Sequence, residues 1–418
     1  MRTARLQFFA LFFAQMQVGW ETSTAGPLIP RLQIFYNVNY TVVSIIFIVI
    51  CVGFFIGATA NVYLSEKIGF GKVRSLGQII AYILMIPAPP FPVFCTAFLF
   101  IGWSISIQVA QSNSYVASLS ENSSKKMGFM HAGFGLGAVC SPLAATQFAK
   151  MPRHWSFHYI ISLGIAMVNT LLLVFVFKGK TQDECLCECG EAPMKQATSK
   201  ESKYKQFLRL KVVHVLAFFS LVYVGIEFTI GWWTVSYMQK DRGGGPSSGY
   251  VSTGFFGGLT LGRVCLLWVN EKVGEHLVVY AYILLSLGLE LVVWLVRDLV
   301  ADAVAISFVG FFLGPMYPIM MNETGRLVPQ WLLNGSIGWV ASFGYAGSAL
   351  FPFITGALAQ RFGIGSLQPL LVILYGVSFA LWLLIPGGNK RAMSPGGDVK
   401  EMGSCTSRLD RQNGTIGT

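Results

Sequence analysis

Residues 53–69 read GFFIGATANVYLSEKIG, and residues 258–274 read GLTLGRVCLLWVNEKVG. Gly53, Gly57, Glu66, Lys67 and Gly69 of the first stretch fall on Gly258, Gly262, Glu271, Lys272 and Gly274 of the second, 205 positions on and without a gap. Upstream of each copy stands a second matching pair, Val18-Gly19-Trp20-Glu21 and Val224-Gly225-Ile226-Glu227. An acid therefore occupies the same station in two related halves. Many secondary transporters are built from such internal repeats, so this pattern bounds fold and mechanism together.

Composition sets the class. Of the 418 residues 54% are hydrophobic and only 12% charged, with mean hydropathy +0.59. Soluble domains carry about 25% charge, so most of this chain needs no water-facing side. The 45 glycines suit helices that pack closely within a bilayer. Apolar stretches fall near 6–29, 41–63, 74–92, 93–119, 127–149 and 156–178, then near 212–238, 248–269, 277–297, 301–323, 332–358 and 366–386. A bilayer core of about 30 Å needs about 20 helical residues, so each can span. The third and fourth meet at Pro87, Pro89, Pro90 and Pro92, which read as a tight turn. The expected fold is all-α and membrane-embedded, with twelve transmembrane helices in a 6+6 pseudo-symmetric arrangement. The expected domains are a six-helix half over 1–178, a basic linker over 179–211, a second six-helix half over 212–386 and a disordered tail over 387–418.

Charge gives the orientation. With the N-terminus inside, 22 of the 30 Lys and Arg residues lie on the cytoplasmic side, seven lie outside, and Arg263 sits within a span. The net charge of +11 is then a topology signal and not a nucleic-acid footprint. Both termini are expected in the cytoplasm. The first span carries Gln15, Gln17 and Glu21, which a cleaved signal would not, so it is expected to be retained. Asn39-Tyr40-Thr41 is a possible glycosylation acceptor in the first outer loop.

Within the linker, Cys185, Cys187 and Cys189 form C-x-C-x-C. Metal binding, S-palmitoylation and plain reduced thiols are the alternatives. Two-residue spacing with no fourth ligand disfavours the metal, and the plain thiol is the simplest reading. No disulfide framework, metal site or cofactor site is expected.

The chemistry concentrates in a few intramembrane polar residues. Carboxylates at membrane depth are costly and tend to face cavities on ion or proton pathways, which makes Glu21 and Glu227 the proton-coupling candidates. Their helices contain Gly19 and Gly26-Pro27, and Gly225 and Gly231, which are expected to interrupt them around a central site. Arg263 cannot lose its proton and needs a carboxylate, carbonyls or an anionic substrate beside it. It is a switchable partner for Glu227 or Glu21, or a permanent clamp on its own helix. Glu290 lies in a Leu-rich span and carries no functional assignment.

Ser104, Gln108, Gln111 and Tyr115 form a polar stripe on the fourth span, with Asn113 off it. Such amides and hydroxyls suit a polyol or sugar, although interhelical packing explains each one separately. His131 is a candidate relay or a helix-end hydrogen-bonder. Trp232 and Trp233 suggest an aromatic-lined cavity. Gly53, Gly57, Glu66, Lys67, Gly258, Gly262, Glu271 and Lys272 are candidates for gating or for packing. No nucleophile, phosphate loop or paired-acid constellation appears, so an enzyme is not expected.

Trp20-Glu21, the run Ala25-Gly26-Pro27-Leu28-Ile29-Pro30, the run His131-Ala132-Gly133-Phe134-Gly135-Leu136-Gly137-Ala138, Gly262-Arg263, and Gly314-Pro315-Met316-Tyr317-Pro318 together carry a resemblance. They resemble fungal major facilitators of the bypass-of-stop-codon type, a group similar to the fucose–proton symporters. The resemblance covers about Gln15 to Pro386. It implies a major facilitator fold and places Glu21 near the family's protonatable first-helix acid. Sugar symporters of the group also use an acid in the fourth helix, where this chain offers only Gln108, Gln111 and Asn113.

The expected function is alternating-access secondary transport of a small polar solute, a sugar or related metabolite, coupled to protons. The alternatives are a proton-driven exporter of drugs or secondary metabolites and a non-transporting membrane receptor. The expected partners are solute, protons and lipid bilayer, with no nucleic acid. The protein is expected to be a monomer in the plasma membrane rather than in a vacuolar or other internal membrane.

Overall fold

A computed structural model describes residues 2–67, 76–119, 123–188, 206 and 208–387. Its longer helices are α1 (Arg2–Tyr36), α2 (Tyr40–Lys67), α3 (Leu76–Met85), α4 (Phe91–Ala117), α5 (Ser123–Ala149) and α6 (His158–Phe177). A short α7 (Gln182–Glu188) follows, then α8 (Lys211–Lys240), α9 (Gly249–Cys265), α10 (Leu267–Val273), α11 (Glu275–Leu295), α12 (Leu299–Leu313), α13 (Met316–Leu327), α14 (Gln330–Phe362) and α15 (Leu367–Leu383). Among the described residues there is no β-strand.

Nine helical stretches of the described residues are long and apolar enough to cross a bilayer, and α9 with α10 makes a tenth, bent by 51°. Leu299–Leu327 counts as one of the nine although Gly314-Pro315 breaks it into α12 and α13. The two remaining expected spans are α1 and α3. Polar side chains along α1, among them Gln15, Gln17, Glu21, Thr22, Ser23 and Thr24, are buried inside the protein. Lipid does not have to solvate them. Of the third expected span, 74–92, the described helix is α3, ten residues with about 15 Å of rise. It ends at Met85, and the proline cluster forms the turn, with Ala88 at φ 49° and its N–H donating to the Met85 carbonyl at 3.0 Å.

The duplicated glycines explain how the helices assemble. A Cβ on Gly53 would collide with the Leu99 carbonyl and one on Gly57 with the Trp103 carbonyl, so α2 and α4 meet backbone to backbone. Gly258 and Gly262 face the Ser307 and Phe311 carbonyls in the same way, joining α9 to α12. Close approach through small residues supplies dispersion contacts that lipid cannot match. The same logic joins α1 to α5, where Gly137 meets the Met16 carbonyl, and α8 to α14, where Gly347 meets the Leu221 carbonyl.

Two sequence expectations change here. The glycines and prolines of the first and seventh spans do not interrupt them, because α1 and α8 run unbroken through these positions. Gly19 instead admits the Phe134 carbonyl, Gly26 the Gly231 carbonyl and Gly225 the Phe351 ring. The linker is also partly structured. Cys185 and Leu186 of α7 are buried against Ala10, Leu11, Tyr115, Val116, Leu173 and Phe177, and Gln182 donates to Ser114 Oγ at 3.0 Å. Apolar burial of these two side chains overrides the polar composition around them. Cys189, Gly69 and the tail from 388 lie outside the described residues, as do the side chains of Glu66 and Lys67.

Candidate functional site

One cavity lies between α1, α2, α4 and α5 on one side and α8, α9, α13 and α14 on the other. Its volume is about 120 Å³. A single water needs about 10–15 Å³ on that measure, so a solute of several heavy atoms fits. Glu21, Asn113, His131, Glu227, Trp232 and Arg263 all line it. Six of the sequence-derived candidates, from five helices, thus share one space.

Glu21 and Glu227 are buried, at 7% and 6% exposure, and each accepts a hydrogen bond from a tyrosine. The donors differ. Tyr82 reaches Glu21 Oε2 from α3, whereas Tyr223 reaches Glu227 Oε2 at 2.6 Å from one turn back on the same helix. Tyr223 also lies 3.1 Å from the Leu313 carbonyl. Sequence reading missed Tyr82, because nothing in the chain pairs residues 61 positions apart on different helices.

Arg263 projects toward the same cavity. Its Nε donates to the Gly314 carbonyl at 3.2 Å, and its guanidinium lies 5.6 Å from the Phe134 ring centroid. Among the described residues it makes no ion pair within 4.0 Å, although its charge acts on Glu227 and His131 across the cavity. The carbonyl is available because the residue four positions on, Pro318, has no N–H to donate to it. Of the partners the sequence leaves open for Arg263, a carbonyl is the one engaged in this conformation, with a ring face beside it.

The polar stripe of α4 points elsewhere. Gln111 donates to Asn61 Oδ1 at 2.8 Å, Tyr115 to Gln7 Oε1 at 2.6 Å, and Gln108 is fully buried off the cavity wall. The face that does line the cavity is Phe98, Ile101, Ile105, Val109 and Asn113. An apolar stripe ending in one amide is invisible to a search for polar periodicity.

Two aromatic pairs stand beside the cavity. Trp232 stacks on Phe47 with centroids 4.4 Å apart, and its Nε1 donates to the Thr22 carbonyl at 2.7 Å. Tyr345 stacks on Phe54 at 3.6 Å. Both stacks join the two halves of the chain. Of the remaining candidates, Glu271 and Lys272 are exposed at the end of α10, with the Lys272 ammonium 4.8 Å from the Trp268 ring centroid.

The family model described as Major Facilitator Superfamily matches residues 11–330, most of the chain. The chain belongs to the Major Facilitator Superfamily. This facilitator is 26% identical over 411 residues to the Bypass of stop codon protein 6 of Saccharomyces cerevisiae, covering 91% of this chain and 82% of that protein. It is 21% identical over 387 residues to the Glucose/mannose transporter GlcP of Bacillus subtilis, covering 88% and 92%. Its fold matches the crystal structure of a D-xylose-proton symporter with a TM-score of 0.73 at 11% identity, over 92% of this chain and 98% of that one. It also matches a bacterial homologue of the human lysosomal transporter Spinster, in an inward-facing and occupied conformation, with a TM-score of 0.71 at 9% identity. The facilitator is accordingly a multi-pass integral membrane transporter and not an enzyme.

Proposed function

We propose that this facilitator moves a small polar solute, a sugar or related metabolite, by proton-coupled alternating access. The observation that carries the reading is the convergence of Glu21, Glu227 and Arg263 with Asn113, His131 and Trp232 on one cavity between the two halves. The sugar-transporter relatives support the solute class. In this mechanism Glu21 takes up and releases the coupling proton. Arg263 exchanges the Gly314 carbonyl for the Glu227 carboxylate as the halves rock, so the ion pair forms in only part of the cycle. The solute sits against the Trp232 ring, with Asn113 and His131 offering donors and acceptors. The protein works as a monomer with both termini in the cytoplasm, in the plasma membrane.

Uptake into proteoliposomes under an imposed pH gradient tests this. Glu21→Gln is expected to abolish gradient-driven uptake while counterflow exchange persists. Gradient-driven uptake at the wild-type rate in that variant would remove Glu21 from the coupling role. The apolar wall of Phe98, Ile101, Ile105 and Val109 favours a second reading, export of a less polar metabolite or drug. Competition in the counterflow assay by apolar aromatic compounds but not by monosaccharides would select that reading.

A further inference from the structure

A second buried polar cluster lies away from the transport cavity, between α11 and α15. Glu290 is 1% exposed on the Leu-rich helix α11, and the Gln368 side chain lies beside it. One turn below Glu290 on α11 is Ser286, and the Tyr375 hydroxyl of α15 faces it. Both are also buried. Glu290 Oε2 and Gln368 Oε1 have no hydrogen-bond partner within the protein, and Ser286 Oγ and Tyr375 Oη approach each other without reaching hydrogen-bond geometry. Buried polar atoms are nearly always satisfied, and an unpaired carboxylate oxygen in a membrane interior is the costliest exception.

The neighbouring charges lean the same way. At one end of the cluster, Arg242 Nε pairs with Asp302 Oδ2 at 2.7 Å and its Nη1 with Asp241 at 2.9 Å. The Asp302 charge reaches Glu290, and Asp302 Oδ1 is itself buried without a partner. Arg242 thus pairs with two carboxylates, Asp241 and Asp302, and leaves Glu290 without a cation of its own. Tyr237, whose ring lies under Arg242, completes the group on the α8 side.

We propose that Glu290, Gln368, Ser286 and Tyr375 form a binding site for a monovalent alkali cation of the sodium class. The donor set is all oxygen, which selects hard cations over transition metals. Only one formal negative charge sits among the four, which matches a single positive charge and would leave a divalent ion undercompensated. Consistent with that, no group of three or more His, Cys, Asp or Glu suited to a metal ion occurs among the described residues. The ion would neutralise the buried carboxylate and tie α11 to α15, outside the cavity where the transported solute moves.

The test uses the full-length purified protein. Thermal unfolding is measured in sodium, potassium, lithium and choline chloride at matched ionic strength, alongside equilibrium binding of radiolabelled sodium. Sodium is expected to raise the unfolding midpoint by about 2–4 °C over choline. Glu290→Gln, which removes the charge and keeps the shape, is expected to abolish both that increment and radiolabel binding. Should that variant fail to fold, Tyr375→Phe takes its place, with sodium affinity expected to fall about tenfold. Identical midpoints in all four salts for the wild-type protein overturn the site. So does sodium stabilisation that persists in Glu290→Gln, or a response to pH alone, which would make Glu290 a proton site only.

Discussion

Glu21 depends on a residue that its own helix does not supply. Tyr82 donates to it across the α1–α3 contact, and Tyr82 is itself fully buried. Glu227 draws the same kind of bond from Tyr223 on its own helix. The two acids therefore share a station but differ in what holds them: the Glu21–Tyr82 bond depends on how α3 packs on α1, whereas the Glu227–Tyr223 pair is fixed by helix geometry. Removing the phenol from a buried carboxylate leaves an unsatisfied acceptor, at a cost of about 1.5–3 kcal/mol. Tyr82→Phe is accordingly expected to lower the unfolding midpoint of the purified protein. Glu21→Gln should tolerate loss of the phenol better, since the remaining amide carries no charge. In a double-mutant cycle the Tyr82→Phe effect should shrink in the Glu21→Gln background. Strict additivity would show that the hydrogen bond contributes nothing.

At the scale of helices, the repeated glycines form the joints between α2 and α4 and between α9 and α12. Any side chain at Gly53 or Gly258 would push against a carbonyl oxygen of the facing helix, and overpacking of this kind typically costs about 1–3 kcal/mol. Gly53→Val and Gly258→Val are expected to destabilise by similar amounts, since the two joints are equivalent, and to add in the double variant, since they lie in separate halves. Gly164→Ala on α6, where a Cβ meets nothing within 4 Å, should change the midpoint little. Thermal unfolding of the four proteins decides it, and a neutral Gly258→Val would mean that α9 and α12 do not need this approach.

These joints also mark what was legible in the chain. The Gly53/Gly258 spacing was visible as a repeat because a scaffold contact fixes residue type at both ends of a helix turn. Glu21, Glu227 and Arg263 stood out because charge is rare in apolar spans. Tyr82 and the apolar α4 face were hidden, since partners brought together by the bundle leave no local pattern. The stripe of Gln108 and Gln111 misled because a polar helix face can turn toward other helices as readily as toward a cavity. The prolines and glycines of α1 misled for a related reason: close helix approach needs glycine just as a break does.

Across the whole molecule, the halves meet at one end of the bundle through two contacts that repeat each other. Gly356 on α14 lies against Ser44 on α2, and Gly249 at the start of α9 lies against Thr146 on α5. Around them, the Tyr40 N–H donates to Gln360 Oε1 at 3.2 Å, Gln147 bonds Tyr250, and Gly26 meets the Gly231 carbonyl. All of this lies at the end of the bundle that carries the loops around 37–39, 150–154 and 241–248, the end assigned as outer. Alternating access requires the same contacts to part once per cycle, largely by rocking of one half against the other. A Cβ at position 249 would stand 3.0 Å from the Thr146 Cβ, so the joint has to ease by about 0.5–1 Å to reach the Cβ separation of a disulfide. The pair Thr146→Cys with Gly249→Cys, and separately Ser44→Cys with Gly356→Cys, should therefore cross-link under mild oxidation. Each cross-link is expected to stop solute flux in proteoliposomes, and reductant should restore it, while the single-cysteine variants keep transporting under oxidant. The two pairs must behave alike, because rocking opens both together. Flux through the cross-linked protein at the reduced rate would show that this end does not open during transport, and would place the moving gate elsewhere in the bundle.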